Sequence, residues 1–419
     1  MRRYTLLLFL LTVLSADIFA QTDNNTNLQT DSLKSDSLEM EALRLTGVSV
    51  TDGNAVTLLM TGHDKFEDLF KYVKEAKRFI HMEYFNYRND SINTILINLL
   101  HQKAQEGVEV RVMYDAFGNS SNNQPFSRAK HDSIRSLGIQ LEKFDPINFP
   151  WVNHIFPRDH RKIVVIDGTT AYTGGMNVAD YYIDGLEGIG PWRDMHMRIH
   201  GPAVDDLHRI FVKMWAKQTG YLLTGARYFP ANRPKVGNAR VAIVDREPNV
   251  TNRSIRHLYI SMLDNAKRCV KIITPYFVPT VTVRKAIHRA IERGVDVQIM
   301  VSEKSDIPLT PDASHYWAYN LAQRGAKVYM FQAGFHHTKA MMVDDTFCTV
   351  GSSNLDSRSL RYDYEVNTAI FDRDVTMQLV NMFEEDKKHS ILLDETKWNR
   401  KTTWKKGVAW FGHLLTPFL

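Results

Sequence analysis

Two stretches of the chain set the same residues at the same spacing. His160 and Lys162 are followed, after four residues, by Asp167 and, after six more, by Gly174-Gly175-Met176-Asn177. His337, Lys339, Asp344 and Gly351-Ser352-Ser353-Asn354 repeat the pattern. One His-x-Lys pair on an apolar strand is commonplace, whereas two matched copies point to a site built from both. These residue types suit a phosphodiester. Lys162, Lys339, Asn177 and Asn354 supply phosphate-binding donors for the non-bridging oxygens, whose charge must be held as phosphorus becomes five-coordinate. One imidazole attacks phosphorus; the other protonates the leaving alkoxide and then deprotonates the incoming alcohol or water. Histidine fits both tasks because its reference pKa of about 6.5 allows either form near neutrality. The pattern calls for no metal and no cofactor, since the lysines and asparagines supply the electrophilic part and no HExxH or carboxylate cluster is evident.

Residues two apart on a strand point to one side, so His160 and Lys162 share a face, as do His337 and Lys339. The candidate catalytic set is therefore His160, Lys162, Asp167, His337, Lys339 and Asp344. Within it the two aspartates, five residues beyond each lysine and on the opposite face, are expected to bind backbone or turn groups, a structural role. Each histidine needs a carboxylate to fix its tautomer. Asp194 in "WRDMHMRI" and Glu365 in "YDYEVNTAI" occupy matching places and form the candidate orienting pair. Spacing leaves open which histidine each one serves.

The elements that position these residues are themselves duplicated. "EAKRFIHMEYF", "LLHQKAQEGVEVRVMYD", "LGIQLEKF" and the first motif run parallel to "NAKRCVKIITPYF", "AIHRAIERGVDVQIMVSE", "RGAKVYMF" and the second. Each half reads as strand, helix, strand, helix, strand, with Gly107 or Gly294 at the helix-to-strand junction in a left-handed cap. Apolar runs at 79–82, 108–113, 270–273 and 295–301 lack polar alternation, as in strands covered on both faces. Within each motif, "KIVVID" or "KAMMVD" is a strand carrying His and Lys, and "TAYTGG" or "FCTVGS" is its partner across a tight turn. A helix follows each motif, with Val204, Leu207, Phe211, Met214 and Trp215 on the apolar face of one and Val375, Leu379, Met382 and Phe383 on that of the other. The class is α/β, and four site residues converge if the halves pack with pseudo-twofold symmetry.

These motifs resemble the duplicated motif of the phospholipase D superfamily, over about residues 47 to 419. The resemblance implies two tandem phospholipase D-like α/β sandwich repeats with a joint site, a phosphohistidine intermediate and a metal-independent mechanism. It implies His160 as nucleophile and His337 as acid/base, with carboxylates reaching from the opposite half: Glu365 to His160 and Asp194 to His337. In detail the chain is most similar to bacterial cardiolipin synthases, through "HRKIVVID", "GGMNVADYY", "PWRDMHMRIHGPAV", "TPYFVP", "GSSNLDSRSLRYDYEVN" and the terminal "LLTPFL". That likeness implies transfer of a phosphatidyl group from one phosphatidylglycerol to another, releasing glycerol. The chain departs from it in "RYDYE", where an Asn-rich segment is usual, and in having one short apolar N-terminal segment where two spanning helices are common.

The 419 residues, 44% of them apolar, are enough for two or three domains, and the net charge of +5 suits an anionic partner. Anionic phospholipid and a membrane surface are the expected partners, with no nucleic acid and no obligate protein. Residues 1–20, with Arg2 and Arg3 before an apolar stretch, read as a secretory signal peptide or a short anchor; either sends the rest of the chain to the extracytoplasmic side of a bacterial membrane. Residues 21–46 read as a flexible spacer, 47–226 and 227–396 as the repeats, and 397–419, basic and aromatic, as a membrane-contacting segment or an ordinary terminal helix. Cys269 and Cys348 read as buried apolar residues. Glu83 is open between an acceptor-hydroxyl ligand and a structural residue, and Trp192 and Tyr276 between lipid channel and core. The competing readings are a phospholipase D or an exported nuclease that hydrolyses with water, and a non-catalytic binding module; the last requires loss of the histidines or lysines, all of which are present.

Overall fold

A shared core succession of strands and helices builds each half of the protein. In the computed structural model, Leu43 and residues 46–146, 156–231, 233–251, 253–307 and 310–394 are described. The signal or anchor segment, most of the spacer and the basic aromatic C-terminus lie outside them. The first repeat runs β1 (Thr51–Leu59), α1 (Gly62–Glu75), β2 (Phe79–Tyr84), α2 (Ser91–Gln105), β3 (Glu109–Asp115), α3 (Ala116–Ser120), α4 (Arg128–Ser136), β4 (Gln140–Phe144), β5 (Lys162–Ile166), β6 (Thr170–Gly174), α5 (Tyr181–Asp184), β7 (Trp192–Arg193), β8 (His196–His200) and α6 (Ala203–Thr219). The second runs β9 (Ala239–Arg246), α7 (Ser254–Asn265), β10 (Cys269–Ile273), α8 (Val281–Glu292), β11 (Asp296–Ser302), α9 (Thr310–Ala322), β12 (Lys327–Phe331), β13 (Phe335–His336), β14 (Ala340–Val343), β15 (Phe347–Gly351), α10 (Ser357–Arg361), β16 (Glu365–Phe371), α11 (Arg373–Lys388) and β17 (Ser390–Leu392). Gly107 and Gly294 sit at φ +87° and +83°, where a side chain would be strained.

Among the described residues, fifteen strands form one sheet in the order β4-β3-β2-β5-β6-β8-β1-β9-β16-β15-β14-β10-β11-β12-β17. Read outward from the β1–β9 seam, both repeats follow the same order, so the pseudo-twofold axis passes through that seam. The halves are thus fused edge to edge, not merely docked. Buried Asn54 staples the seam: its Nδ2 donates to the Thr51 and Ala239 carbonyls at 2.8 and 3.3 Å, and its Oδ1 accepts from the Ala203 amide at 2.9 Å. An apolar strand could not satisfy these buried groups where the register shifts between Thr51 and Asn54.

Both faces of the sheet are covered, which is why its strands lack polar alternation. Ile163 and Val165 of β5 face a core shared by α6 and α11, while Val164 and Ile166 face the other side. In β14, Met342 joins that shared core and Met341 and Val343 face the core of α7 and α8. The helical periodicity of the two post-motif segments is realised here: Val204, Leu207, Phe211, Met214, Trp215, Val375, Leu379, Met382 and Phe383 are all buried in one layer spanning both repeats. Cys269 and Cys348 are buried free thiols. No helix among the described residues is long and apolar enough to cross a membrane.

Candidate active site

The end of the sheet where β5 and β14 begin carries the motif residues. The histidines lie just outside the strands expected to hold them, because their backbone bonds go to the other repeat. His160 N–H donates to the Tyr364 carbonyl at 3.0 Å, and His337 N–H to the Arg193 carbonyl at 2.6 Å. Tyr364 and Arg193 each precede an orienting carboxylate, so the same crossing that anchors a histidine delivers its partner. His160 Nδ1 lies 3.1 and 3.2 Å from the two oxygens of Glu365, and His337 Nδ1 lies 2.6 Å from Asp194 Oδ2. Both His–carboxylate pairs therefore cross between repeats, leaving Nε2 of each ring without a protein partner among the described residues. The side chains are 16% and 8% exposed, so both rings are largely buried.

Lys162 and Lys339 are fully buried beside them. Lys339 Nζ lies 2.9 Å from His337 Nδ1 and 2.5 Å from the His337 carbonyl; with Nδ1–H directed at Asp194, the carbonyl is its acceptor. Lys162 Nζ donates to the His160 carbonyl at 2.5 Å. Burial holds His160 well below the ordinary imidazole range, and Lys162 and Lys339 push it the same way. Burial also lowers His337, helped by Lys339 and opposed by Asp194. Lys162 is lowered to about 7 and Lys339 to about 8, in both cases mainly by burial against the pull of Glu365 and Asp194. That His160 and Lys162 both feel Lys339 marks the convergence of the two motifs. Burial pushes Asp194 up, but Lys339 and His337 outweigh it and hold it below the usual carboxylate range, whereas burial keeps Glu365 raised.

Asn177 and Asn354 are 6% exposed, and their Oδ1 atoms have no partner among the described residues. Gly175 precedes Asn177 by two residues, and a Cβ there would meet Asp194 Oδ1 at 2.3 Å, so only glycine lets that carboxylate approach. The matching residue, Ser352, instead hydrogen-bonds Glu365 and accepts from the Val366 amide at 3.0 Å. Ser352 stands inside the motif, but its role was not legible there because the other copy has glycine.

Asp167 and Asp344 stand apart from this group, about 16 Å along their strands at ~3.3 Å per residue. They do not belong with the catalytic set. Asp167 accepts from the Lys77, Arg78 and Phe79 amides at 2.7, 2.6 and 3.0 Å, and Asp344 from the Lys267, Arg268 and Cys269 amides at 2.8, 2.8 and 2.9 Å. Each has φ +52°, a left-handed turn that aspartate tolerates better than most residues. Glu83 is fully buried 3.8 Å from Arg161, raised by burial and by Asp159, in a closed charge cluster rather than in the cleft. Trp192 and Tyr276 are mostly buried, and with Phe335 their rings lie 5.3, 6.2 and 5.4 Å from that of His337; Phe85 lies 5.0 Å from His160. Phe335, Phe85 and the Arg193–Asp386–His336 contacts (2.7 and 3.0 Å) that brace β7 against β13 carry no sequence signal. Among the described residues no group of three or more His, Cys, Asp or Glu side chains could hold a metal ion.

Comparison with known proteins places the chain in a family. A family model described as "Cardiolipin synthase, PLD-like domain" matches residues 69–215 and 259–387, one segment per repeat. The chain is similar to a cardiolipin synthase of Listeria monocytogenes, 34% identical over 376 residues covering 89% of this chain and 77% of that one. It is also similar to the major cardiolipin synthase ClsA of Bacillus subtilis, 36% identical over 372 residues covering 88% and 76%. Among solved structures, a phosphatidylserine synthase of Haemophilus influenzae shares the fold, with TM-score 0.66 at 15% identity over 91% of this chain and all of that one. The chain belongs to the cardiolipin synthase, PLD-like domain family, and with it to the phosphatidyltransferases of the phospholipase D superfamily.

Proposed function

We propose that the protein is a cardiolipin synthase that moves a phosphatidyl group between two phosphatidylglycerol molecules at the cleft between its repeats. The observation that carries this reading is the crosswise pairing of His160 with Glu365 and His337 with Asp194, which leaves two Nε2 atoms for one phosphorus. In the first step, Nε2 of the nucleophile, His160, forms a P–N bond as the P–O bond to glycerol breaks, and His337 gives its proton to the departing glycerol alkoxide. In the second, the primary hydroxyl of another phosphatidylglycerol forms the new P–O bond, its proton passes to His337, and the P–N bond breaks to release cardiolipin. Lys162, Lys339, Asn177 and Asn354 bind the non-bridging oxygens, and a bound diester anion draws both lysines back toward the charged form.

The aromatic rings beside His337 and His160 support a lipid substrate, because they exclude water from a diester attached to acyl chains. The enzyme acts on anionic phospholipid at a bacterial membrane, its catalytic part on the extracytoplasmic side by virtue of the N-terminal basic and apolar segment. Substrate class is tested by incubating the purified protein with phosphatidylglycerol vesicles and, separately, with plasmid DNA, each with and without chelator. Lipid turnover that survives chelator is expected; DNA cleavage without lipid turnover sinks the reading in favour of an exported nuclease.

A further inference from the structure

Outside the motifs, each repeat sends one buried polar side chain to the same place. Lys65, on α1, is fully buried, and its Nζ donates to the Asn177 carbonyl at 2.7 Å and the Met176 carbonyl at 3.3 Å. The rings of Phe66, Tyr84 and Tyr182 lie 4.4, 4.9 and 6.0 Å from its ammonium. No carboxylate pairs with it among the described residues; burial holds it well below the ordinary lysine range, with Asp194 raising it and Lys162 lowering it further. In the second repeat the matching helix is α7. There the position equivalent to Lys65 is Ile255, and Tyr259 lies one turn farther along the same face. Tyr259 OH donates to the Ser353 carbonyl at 3.1 Å and accepts from Asn367 Nδ2 at 3.0 Å, while Asn367 Oδ1 accepts from the Ser353 amide at 3.3 Å.

Ser353 and Met176 are equivalent residues, each immediately before the site asparagine. Two unrelated side chains, from different turns of matching helices, thus restrain the same turn: Tyr259 at the Ser353 carbonyl, Lys65 at the Met176 carbonyl and, more closely, at the Asn177 carbonyl. Carbonyls left unpaired in a buried turn are costly, and an ammonium stripped of water costs more still unless its geometry is used. An apolar residue at 65 would spare the second cost, as Ile255 does in the other repeat. Resting on the reading of the cleft as a phosphodiester site, we propose that Lys65 and Tyr259 are positioning residues: each fixes the turn that aims Asn177 or Asn354 at the phosphoryl oxygens.

The test is a pair of double-mutant cycles on the full chain, Tyr259→Phe with Asn354→Ala and Lys65→Met with Asn177→Ala. Each is read as kcat and KM on phosphatidylglycerol vesicles, as inhibition by orthovanadate, and as thermal midpoint. Tyr259→Phe removes one hydroxyl and keeps the ring, so its fold is expected to survive even where that of Lys65→Met does not. In the wild-type background it should lower kcat about tenfold to a hundredfold with KM nearly unchanged, and weaken vanadate inhibition in proportion. In the Asn354→Ala background the same change should cost at most about twofold, since the residue it positions is gone. Wild-type kcat in Tyr259→Phe, or losses that simply multiply, overturns the proposal. A wild-type protein that turns over neither phosphatidylglycerol nor plasmid DNA, and binds no vanadate, overturns the phosphodiester reading itself, and the proposal with it.

Discussion

At the scale of single residues, the two histidines are equivalent in spacing but not in surroundings. Asp194 is held ionised beside His337, whereas Glu365 beside His160 is raised by burial and shares an oxygen with Ser352. Replacing either histidine with alanine should lower turnover by about 10³-fold or more, because nucleophile and acid/base cannot substitute for one another. Full activity in either variant, measured with intact thermal midpoint, would refute the shared site. Asp167→Ala should behave differently. It strips three backbone amides of their acceptor far from the cleft, so it is expected to cost about 2–4 kcal/mol in a denaturant titration, more than His160→Ala does.

At the scale of elements, the site depends on short crossings. β7 and β13 are two residues each, too short to stand alone, and they hold His337 and Asp194 only because each repeat supplies one strand. Gly175 is the tightest point of that arrangement. Gly175→Ala should displace Asp194 and reduce kcat about tenfold to a hundredfold, which steady-state kinetics on vesicles would show; unchanged kcat would mean the carboxylate does not orient His337. Much of this scale was legible beforehand. Period and glycine placement gave the strand and helix order of both repeats, and duplication gave the convergence of His160, Lys162, His337 and Lys339. The continuous seam was not legible, since the pairing of Thr51 with Val241 joins residues whose local patterns say nothing of each other. Nor was the displacement of the histidines off their strands, because a cross-repeat bond leaves no mark on local periodicity. Lys65 stayed hidden for the same reason, lying on a polar-looking helix far in sequence from Asn177.

At the scale of the whole molecule, neither repeat holds a complete site: each has one histidine, one lysine, one asparagine and the carboxylate that serves the other histidine. The protein should also lose catalytic efficiency as the solution becomes alkaline. Burial lowers both histidines, so the pair carries its single working proton only at lower pH, and Lys162 and Lys339, at about 7 and about 8, lose the charge that attracts the diester as pH rises through those values. Both effects have the same sign. The value of kcat/KM is expected to fall about tenfold or more between pH 6.5 and 9, and a rise over that interval would contradict the assignment. The proposed activity is transfer between two lipids at one joint site. Its most direct test is the product balance on pure phosphatidylglycerol vesicles. One glycerol released per cardiolipin formed, with no phosphatidic acid, is the result expected; glycerol accompanied by phosphatidic acid and no cardiolipin would show that water, not a second lipid, takes the phosphatidyl group.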